Sequence, residues 1–393
     1  MMRARYGHGT QETFRSLELE VTKSLLKLAS LAAVSSLLLS ACAEAPTTTP
    51  SSSPAGSAPA SSAAGGATAG SGDFKACMVS DFGGFDDKSF NETSYKGLLQ
   101  AKEQLGVETA QIESKEESEY ARNVQSMIDA KCGVIVTVGF ALANATEAAA
   151  KQNPNVKFAI VDNESFEGMD NAKGLIFDTA QPAFMAGYVA ASLSQTGKVG
   201  TFGGADYPTV RIFMDGFAQG VEYYNKAKGK SVQVLGWDRA TKDGQFIGGA
   251  SPFDDNAGGK NTANTLIAQG ADIILPVAGP SGLGALAAVK ETNGKANAIW
   301  VDTDGYVSAP EYKDVIITSI EKSMDVAVLD VIKAAKEGSF SSDPYVGTLK
   351  NKGVDLSEFH DFDSKVSAET KSELEQIRAD IISGKITVET TVR

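Results

Sequence analysis

Carboxylates and small residues gather where buried strands should end. Asp81 follows the apolar run 76–80, Gly139-Phe140 follows 134–138, and Asp162-Asn163 follows 156–161. In the second half, Gly203-Gly204, Gly279-Pro280-Ser281-Gly282 and Asp302-Thr303-Asp304 stand in the same relation to the runs 199–202, 273–277 and 299–301. Open α/β sheets bind ligands beyond the carboxyl ends of their strands, so this recurrence points to a shared cleft. Each terminus taken alone is equally a turn or a helix cap, positions that Asp and Gly favour. Two aromatic residues stand in polar loops ahead of expected helices: Phe90 in Asp86-Asp87-Lys88-Ser89-Phe90-Asn91, and Phe253 in Ser251-Pro252-Phe253-Asp254-Asp255-Asn256. Two such faces could clasp a flat ring, each contributing about 1–3 kcal/mol by analogy with nucleobase stacking. The alternative is that each ring staples its loop onto the helix that follows.

Composition removes several kinds of chemistry. The chain contains two histidines, His8 and His360, too few for a His-built metal site and poorly placed for a Ser-His-Asp triad. Asp86-Asp87 is adjacent rather than spaced for ligation, and Asp302-x-Asp304 is an isolated pair. No metal, cofactor or catalytic residue is expected. A formal net charge of -13 lacks the basic footprint of a nucleic-acid binder and disfavours docking on an anionic membrane surface.

A cleft of this kind needs a scaffold that delivers many strand ends to one edge. Apolar runs at 76–80, 134–138, 156–161, 199–202, 232–235, 273–277, 299–301 and 315–318 read as strands, most of them fully buried. Between them Tyr120, Val124, Met127 and Ile128 recur at i, i+4, i+7 and i+8, and Tyr95, Leu98, Leu99 and Leu105 fall on one helical face. Further helices are expected at 141–152, 184–193 and 257–268. The alternation predicts an α/β fold with parallel sheets covered on both faces. About ten strands exceed one compact doubly wound sheet of this length, so two α/β lobes are expected. Leu374, Ile377 and Ile381 mark a last amphipathic helix, expected on the second lobe.

The N-terminus carries a different message. Lys23 and Lys27 precede the short apolar stretch 25–40, which ends in Leu39-Ser40-Ala41-Cys42. This is the pattern of a lipoprotein signal whose cysteine is lipidated after cleavage, with residues 1–42 as the signal segment. An ordinary secretory signal with an incidental Cys42 is the alternative. Glu12, Glu18 and Glu20 are acidic where a signal wants cations, so Val21 is a candidate true start. Residues 43–73, rich in Thr, Ser, Pro, Ala and Gly, cannot build a core and read as a flexible tether, or as a plain disordered tail. If Cys42 is lipidated, Cys77 and Cys132 remain as a pair in an oxidising compartment. Both lie near the starts of strands that a doubly wound order would place side by side, a spacing compatible with a disulfide. Two buried apolar thiols are the alternative.

Taken together, 79–91 with its DDKSFN core and the following Gly97 closely resemble the opening motif of the basic membrane protein family, lipoproteins that bind substrates for ABC importers and include purine nucleoside receptors. Segments 158–162, 183–188, 216–221, 278–282, 301–304, 318–322 and 382–386 resemble the family in the same order, so the likeness spans nearly the whole body. It implies a type I periplasmic-binding-protein fold, with two doubly wound α/β lobes joined by crossover strands around a cleft. The implied lobes are 74–180 plus 304–325, and 181–303 plus 326–393. The resemblance matches Phe90 and Phe253 to aromatics that stack on a nucleobase. Asp81, Asn91 and Asp162 match polar residues near the base and cleft floor, and Gly279, Asp304 and Lys322 match positions around the ribose. The chemistry is apt, since a carboxylate can accept two hydrogen bonds from a vicinal diol and a lysine can donate to the same oxygens. The implied function is delivery of a nucleoside to ABC permease subunits by a monomer held by its lipid anchor on the extracytoplasmic face of the cell membrane. Gly305 replaces a common Gln, and 237–249 is longer than usual, either of which could alter the ligand accepted. A surface sensor on the same fold, or a nucleoside hydrolase with clustered aspartates, are the rival readings.

Overall fold

The computed structural model describes residues 74–390. The signal segment, Cys42 and the tether lie outside the described residues. The chain opens with β1 (Lys75–Ser80), α1 (Phe90–Leu105), β2 (Glu108–Glu113), α2 (Tyr120–Asp129), β3 (Val134–Val138), α3 (Ala143–Gln152), β4 (Lys157–Val161) and β5 (Ala172–Phe177). These strands form one parallel sheet in the order β5-β4-β3-β1-β2. Every residue of β3, VIVTV, is buried, because helices cover both faces and leave no polar side to the strand.

A second sheet begins after α4 (Ala180–Leu193). It is built from β6 (Lys198–Gly203), α5 (Pro208–Lys228), β7 (Gln233–Leu235), the short hairpin β8 (Trp237–Asp238) and β9 (Asp243–Gly244), α6 (Asn256–Ala268), β10 (Ile273–Val277), α7 (Gly282–Glu291), β11 (Asn297–Asp302), α8 (Gly305–Ser308) and β12 (Ile316–Lys322). Its parallel order is β12-β11-β10-β6-β7, with β8 and β9 paired separately inside the long 237–249 segment. The chain then returns to the first lobe. There α9 (Met324–Lys336) packs on α1, and β13 (Tyr345–Gly347) extends the first sheet beside β5. A last crossing brings β14 (Val354–Leu356) antiparallel onto β12, and α10 (Ala368–Ile382) closes against α4.

Two expected boundaries are thereby corrected. The resemblance places 304–325 in the first lobe, yet β12 pairs with β11 and completes the second sheet; the crossing follows Lys322. It places 326–393 wholly in the second lobe, yet α9 and β13 complete the first. The physical reason is a close fit between α1 and α9: a Cβ on Gly97 would lie 2.5 Å from the Asp325 carbonyl oxygen. Leu99 also departs from expectation and faces outward, 45 % exposed, while Leu98 is buried.

Several family-like segments turn out to be packing devices. A Cβ on Gly187 would sit 2.0 Å from the Phe217 carbonyl oxygen, and one on Gly220 would sit 1.9 Å from that of Phe184. Backbone touches backbone where α4 crosses α5, and only glycine permits that approach. Cys77 and Cys132 are joined by a disulfide with a Cα separation of 5.9 Å, tying β1 to the turn that leads into β3.

Candidate functional site

The DDKSFN motif divides its labour residue by residue. The buried Asp87 carboxylate accepts hydrogen bonds from the backbone N–H groups of Ser89 (3.0 Å), Asn91 (2.8 Å) and Glu92 (2.9 Å), capping α1. Burial raises its pKa to about 6 against the pull of those three donors. Lys88 takes a left-handed backbone, φ 60°, which turns the next residue across the cleft. The Ser89 hydroxyl thus reaches Asp302 Oδ2 of the second lobe at 2.8 Å. Asn91 Nδ2 donates to Asp81 Oδ1 (3.1 Å) and to the Phe82 carbonyl (2.8 Å), fixing the end of β1 to the start of α1. Its Oδ1 is buried and makes no hydrogen bond among the described residues.

These groups face a cavity between the two sheets' carboxyl ends. From the first lobe come Asp81, Phe90, Asn91, Phe140 and Asp162; from the second come Tyr207, Phe213, Phe253, Gly279, Asp302 and Lys322. Seven of the eight residues expected at the ligand therefore converge. Asp304 does not: it caps α8 by accepting from the Tyr306 N–H (3.1 Å) and pairs with His360 Nε2 at 2.7 Å, away from the cavity. Asp302 stands in its place. The end of β11 takes a left-handed turn at Asp302, φ 73°, which aims that carboxylate inward and carries Asp304 past the cleft. Asp162 ends β4 in the same way, φ 64°.

Lys322, the last residue of β12, binds the two halves together. Its Nζ lies 2.7 Å from Asp162 Oδ2 of the first lobe and 3.3 Å from Asp302 Oδ1 of the second. It also lies 4.8 Å from the centre of the Phe90 ring and 5.2 Å from that of Phe213. Burial alone would lower its pKa, but the two carboxylates hold it above the usual lysine range. At the other end of the cavity, burial pushes Asp81 up to about 8, with Asp87 and Asp162 adding to the rise and the Asn91 bond opposing it. Near neutral pH Asp81 is then largely a neutral acid that can donate as well as accept. A Cβ on Gly139 would meet Asp81 Oδ2 at 2.0 Å, so a glycine there is what leaves room for this carboxyl.

The aromatic lining is richer than two rings. Phe140 and Tyr207 stand 5.3 Å apart across the lobes, and Tyr207 stands 5.9 Å from Phe253. Phe253 also packs against Gly204, where a Cβ would be 2.5 Å from its Cε1. Tyr207 was missed in the sequence, although it sits in a polar loop between Gly203-Gly204 and the helix-opening Pro208, the same signal that marked Phe90 and Phe253. Among the described residues no group of three or more His, Cys, Asp or Glu side chains is arranged to hold a metal ion. The site can therefore offer ring faces, paired carboxylates and one ammonium to an uncharged, flat, hydroxylated solute.

Two mainly parallel sheets in α/β lobes, three chain crossings and a cavity walled by both lobes define a two-lobed solute-binding protein of the type I periplasmic class. The chain belongs to the family described as ABC transporter substrate-binding protein PnrA-like, which matches residues 74–391. It is 31% identical over 319 residues to basic membrane protein A of Borreliella burgdorferi, covering 80% of this chain and 87% of that one. It is also 31% identical over 333 residues to the ABC transporter nucleoside-binding protein BmpA of Lactococcus lactis, covering 80% and 89%. Among solved structures it resembles an ABC transporter solute-binding protein from Aeropyrum pernix, with a TM-score of 0.73, 27% identity, and coverage of 81% and 94%.

Proposed function

We propose that this substrate-binding protein captures a purine nucleoside outside the cytoplasmic membrane, held there by a lipid on Cys42, and delivers it as a monomer to the permease of an ABC importer. The observation that carries the reading is the pairing of aromatic rings with the Asp162–Lys322–Asp302 cluster in one interlobe cavity. The rings suit a flat heterocycle, and the cluster suits a vicinal diol. Four lining carboxyls against a single lining ammonium argue for a neutral ligand over a nucleotide. The nucleoside-binding name of the Lactococcus lactis relative points the same way. The test is a thermal-shift screen of nucleosides, free bases, pentoses and vitamins. A ligand in hundredfold excess over its Kd adds about 2.7 kcal/mol of stability, so purine nucleosides should raise the melting temperature clearly. No shift with any nucleoside at millimolar concentration overturns the assignment. Loss of membrane association in Cys42→Ser would support the anchor.

A further inference from the structure

The rings that line the interlobe cavity fall into two groups. Phe90 and Phe213 stand beside the Lys322 ammonium, at 4.8 and 5.2 Å. Phe140, Tyr207 and Phe253 form the other group, linked through Tyr207, which lies 5.3 Å from Phe140 and 5.9 Å from Phe253. Tyr207 is half-buried, and beside it Asp206 is exposed and pairs with Arg211 at 3.0 Å, so the ring lines the cavity from its solvent-facing rim. Local sequence holds it there. Tyr207 is the N-cap of α5 with extended backbone, φ -101° and ψ 150°, the conformation that a following proline favours. The lobes also meet beside Phe253. A Cβ on Gly279 would lie 3.9 Å from Phe253 Cδ1, and one on Gly83 of the first lobe would lie 2.9 Å from Pro280 Cγ of the second. The Tyr207 phenol is close to carboxyls of the first lobe: burial raises its pKa, and Asp81 and Glu117 add to the rise.

We infer that Tyr207 is a specificity-determining residue: closed against Phe140, its ring bounds the space at the edge of the purine remote from the sugar and rejects bulky groups there. The inference rests on the nucleoside reading above. Orientation follows from the chemistry of the two groups. Sugar hydroxyls seek Asp162, Lys322 and Asp302, which leaves the heterocycle to Phe140, Tyr207, Phe253 and the neutral Asp81 carboxyl. The exocyclic amine of a purine lies on the edge away from the sugar, so it points towards Tyr207. Phe140 and Tyr207 come from opposite lobes and are already in contact. A bulky group placed between them would hold the lobes apart, and the ligand would forfeit its preference for the closed state.

Calorimetry on the full-length chain compares the tighter-binding of adenosine and guanosine with the same nucleoside benzylated on its exocyclic amine. The native chain should bind the benzylated analogue about a hundredfold more weakly than the parent, the scale of an overpacked contact. Tyr207→Ala should reduce that ratio to about fivefold or less, chiefly by admitting the analogue. Phe140→Ala, which removes the opposing ring from the first lobe, should move the ratio the same way. Tyr207→Phe should keep it within about threefold of the native value, because the ring supplies the barrier and the hydroxyl does not. If Tyr207→Ala and Phe140→Ala weaken both ligands equally and leave the ratio unchanged, the rings only support the fold and the inference is overturned. A native chain that binds parent and analogue alike overturns it too. Either result leaves the nucleoside reading intact, whereas failure of every purine nucleoside to bind overturns both.

Discussion

At the scale of single residues, Asp302 and Asp304, two positions apart, separate a carboxylate that lines the cavity from one that caps a helix. Asp302→Ala should weaken ligand binding by about 1.5–3 kcal/mol, the range for a charged hydrogen-bond partner. Asp304→Ala should leave affinity within about twofold, because its carboxylate is engaged by Tyr306 and His360. Titration calorimetry on the two variants decides it; equal losses would return Asp304 to the site. Phe253→Ala should cost about 1–3 kcal/mol of binding with the melting temperature little changed, whereas unfolding with unaltered affinity would make the ring a structural staple. Asp81 sets a pH dependence. Its pKa is about 8 in the fold and near 4 when unfolded, so the native state holds the extra proton between those values. Stability should therefore fall as pH rises from about 4 to 8, with Asp87, raised to about 6, and Glu321, raised by burial to about 7, contributing in the same sense. Asp81→Asn should flatten the upper part of that slope in melts taken at intervals of pH.

At the scale of elements, the molecule relies on close helix contacts and one covalent tie. Gly220→Val forces a side chain against the Phe184 backbone, where relief requires α4 and α5 to separate. Overpacking of that kind costs about 1–3 kcal/mol, measurable as a lower denaturant midpoint. The Cys77–Cys132 disulfide spans 55 residues of sequence. By loop-closure entropy its loss should cost about 4 kcal/mol, and a Cys77→Ala/Cys132→Ala pair measured by urea unfolding checks this. An undiminished midpoint would mean that the buried β1–β3 pairing alone holds this lobe.

At the scale of the whole molecule, the lobes meet through polar contacts that only a closed cleft allows. Ser89 to Asp302 and Asp162 to Lys322 both cross between lobes, and the Phe140 ring meets Tyr207. A ligand that touches both walls favours this closed state over any open one, since equal affinity for two states shifts nothing. Small-angle scattering should show a smaller radius of gyration with saturating ligand, by closure about the three crossings. Ser89→Ala, which touches the closed state rather than the solute, should weaken affinity about tenfold. If the radius is unchanged by ligand, the cleft is preformed and affinity arises without closure.

The periodicity of apolar residues was enough to predict two α/β lobes built on buried parallel strands. Fully buried strands such as β3 and β10 carry an uninterrupted apolar signature, which only a parallel sheet covered on both faces explains. Edge elements were less legible: β2 reads ETAQIE with mostly exposed or half-exposed positions, so no burial pattern marks it. The strand-end rule located the cleft, because topology forces those ends to one side, and local residue types alone were enough to pick Asp81, Phe90, Asp162 and Phe253 as candidates. What chain order could not decide is which of two nearby residues turns inward. Asp302 and Asp304 differ by a single left-handed turn, set by how β11 leaves its sheet, and no composition records that. The lobe to which α9 and β13 belong was likewise settled by contacts distant in sequence, the seating of Asp325 against Gly97 and of Tyr345 beside Leu175. Local sequence specifies burial and turn chemistry; the partner across a cleft or a helix crossing is chosen only when the whole chain packs.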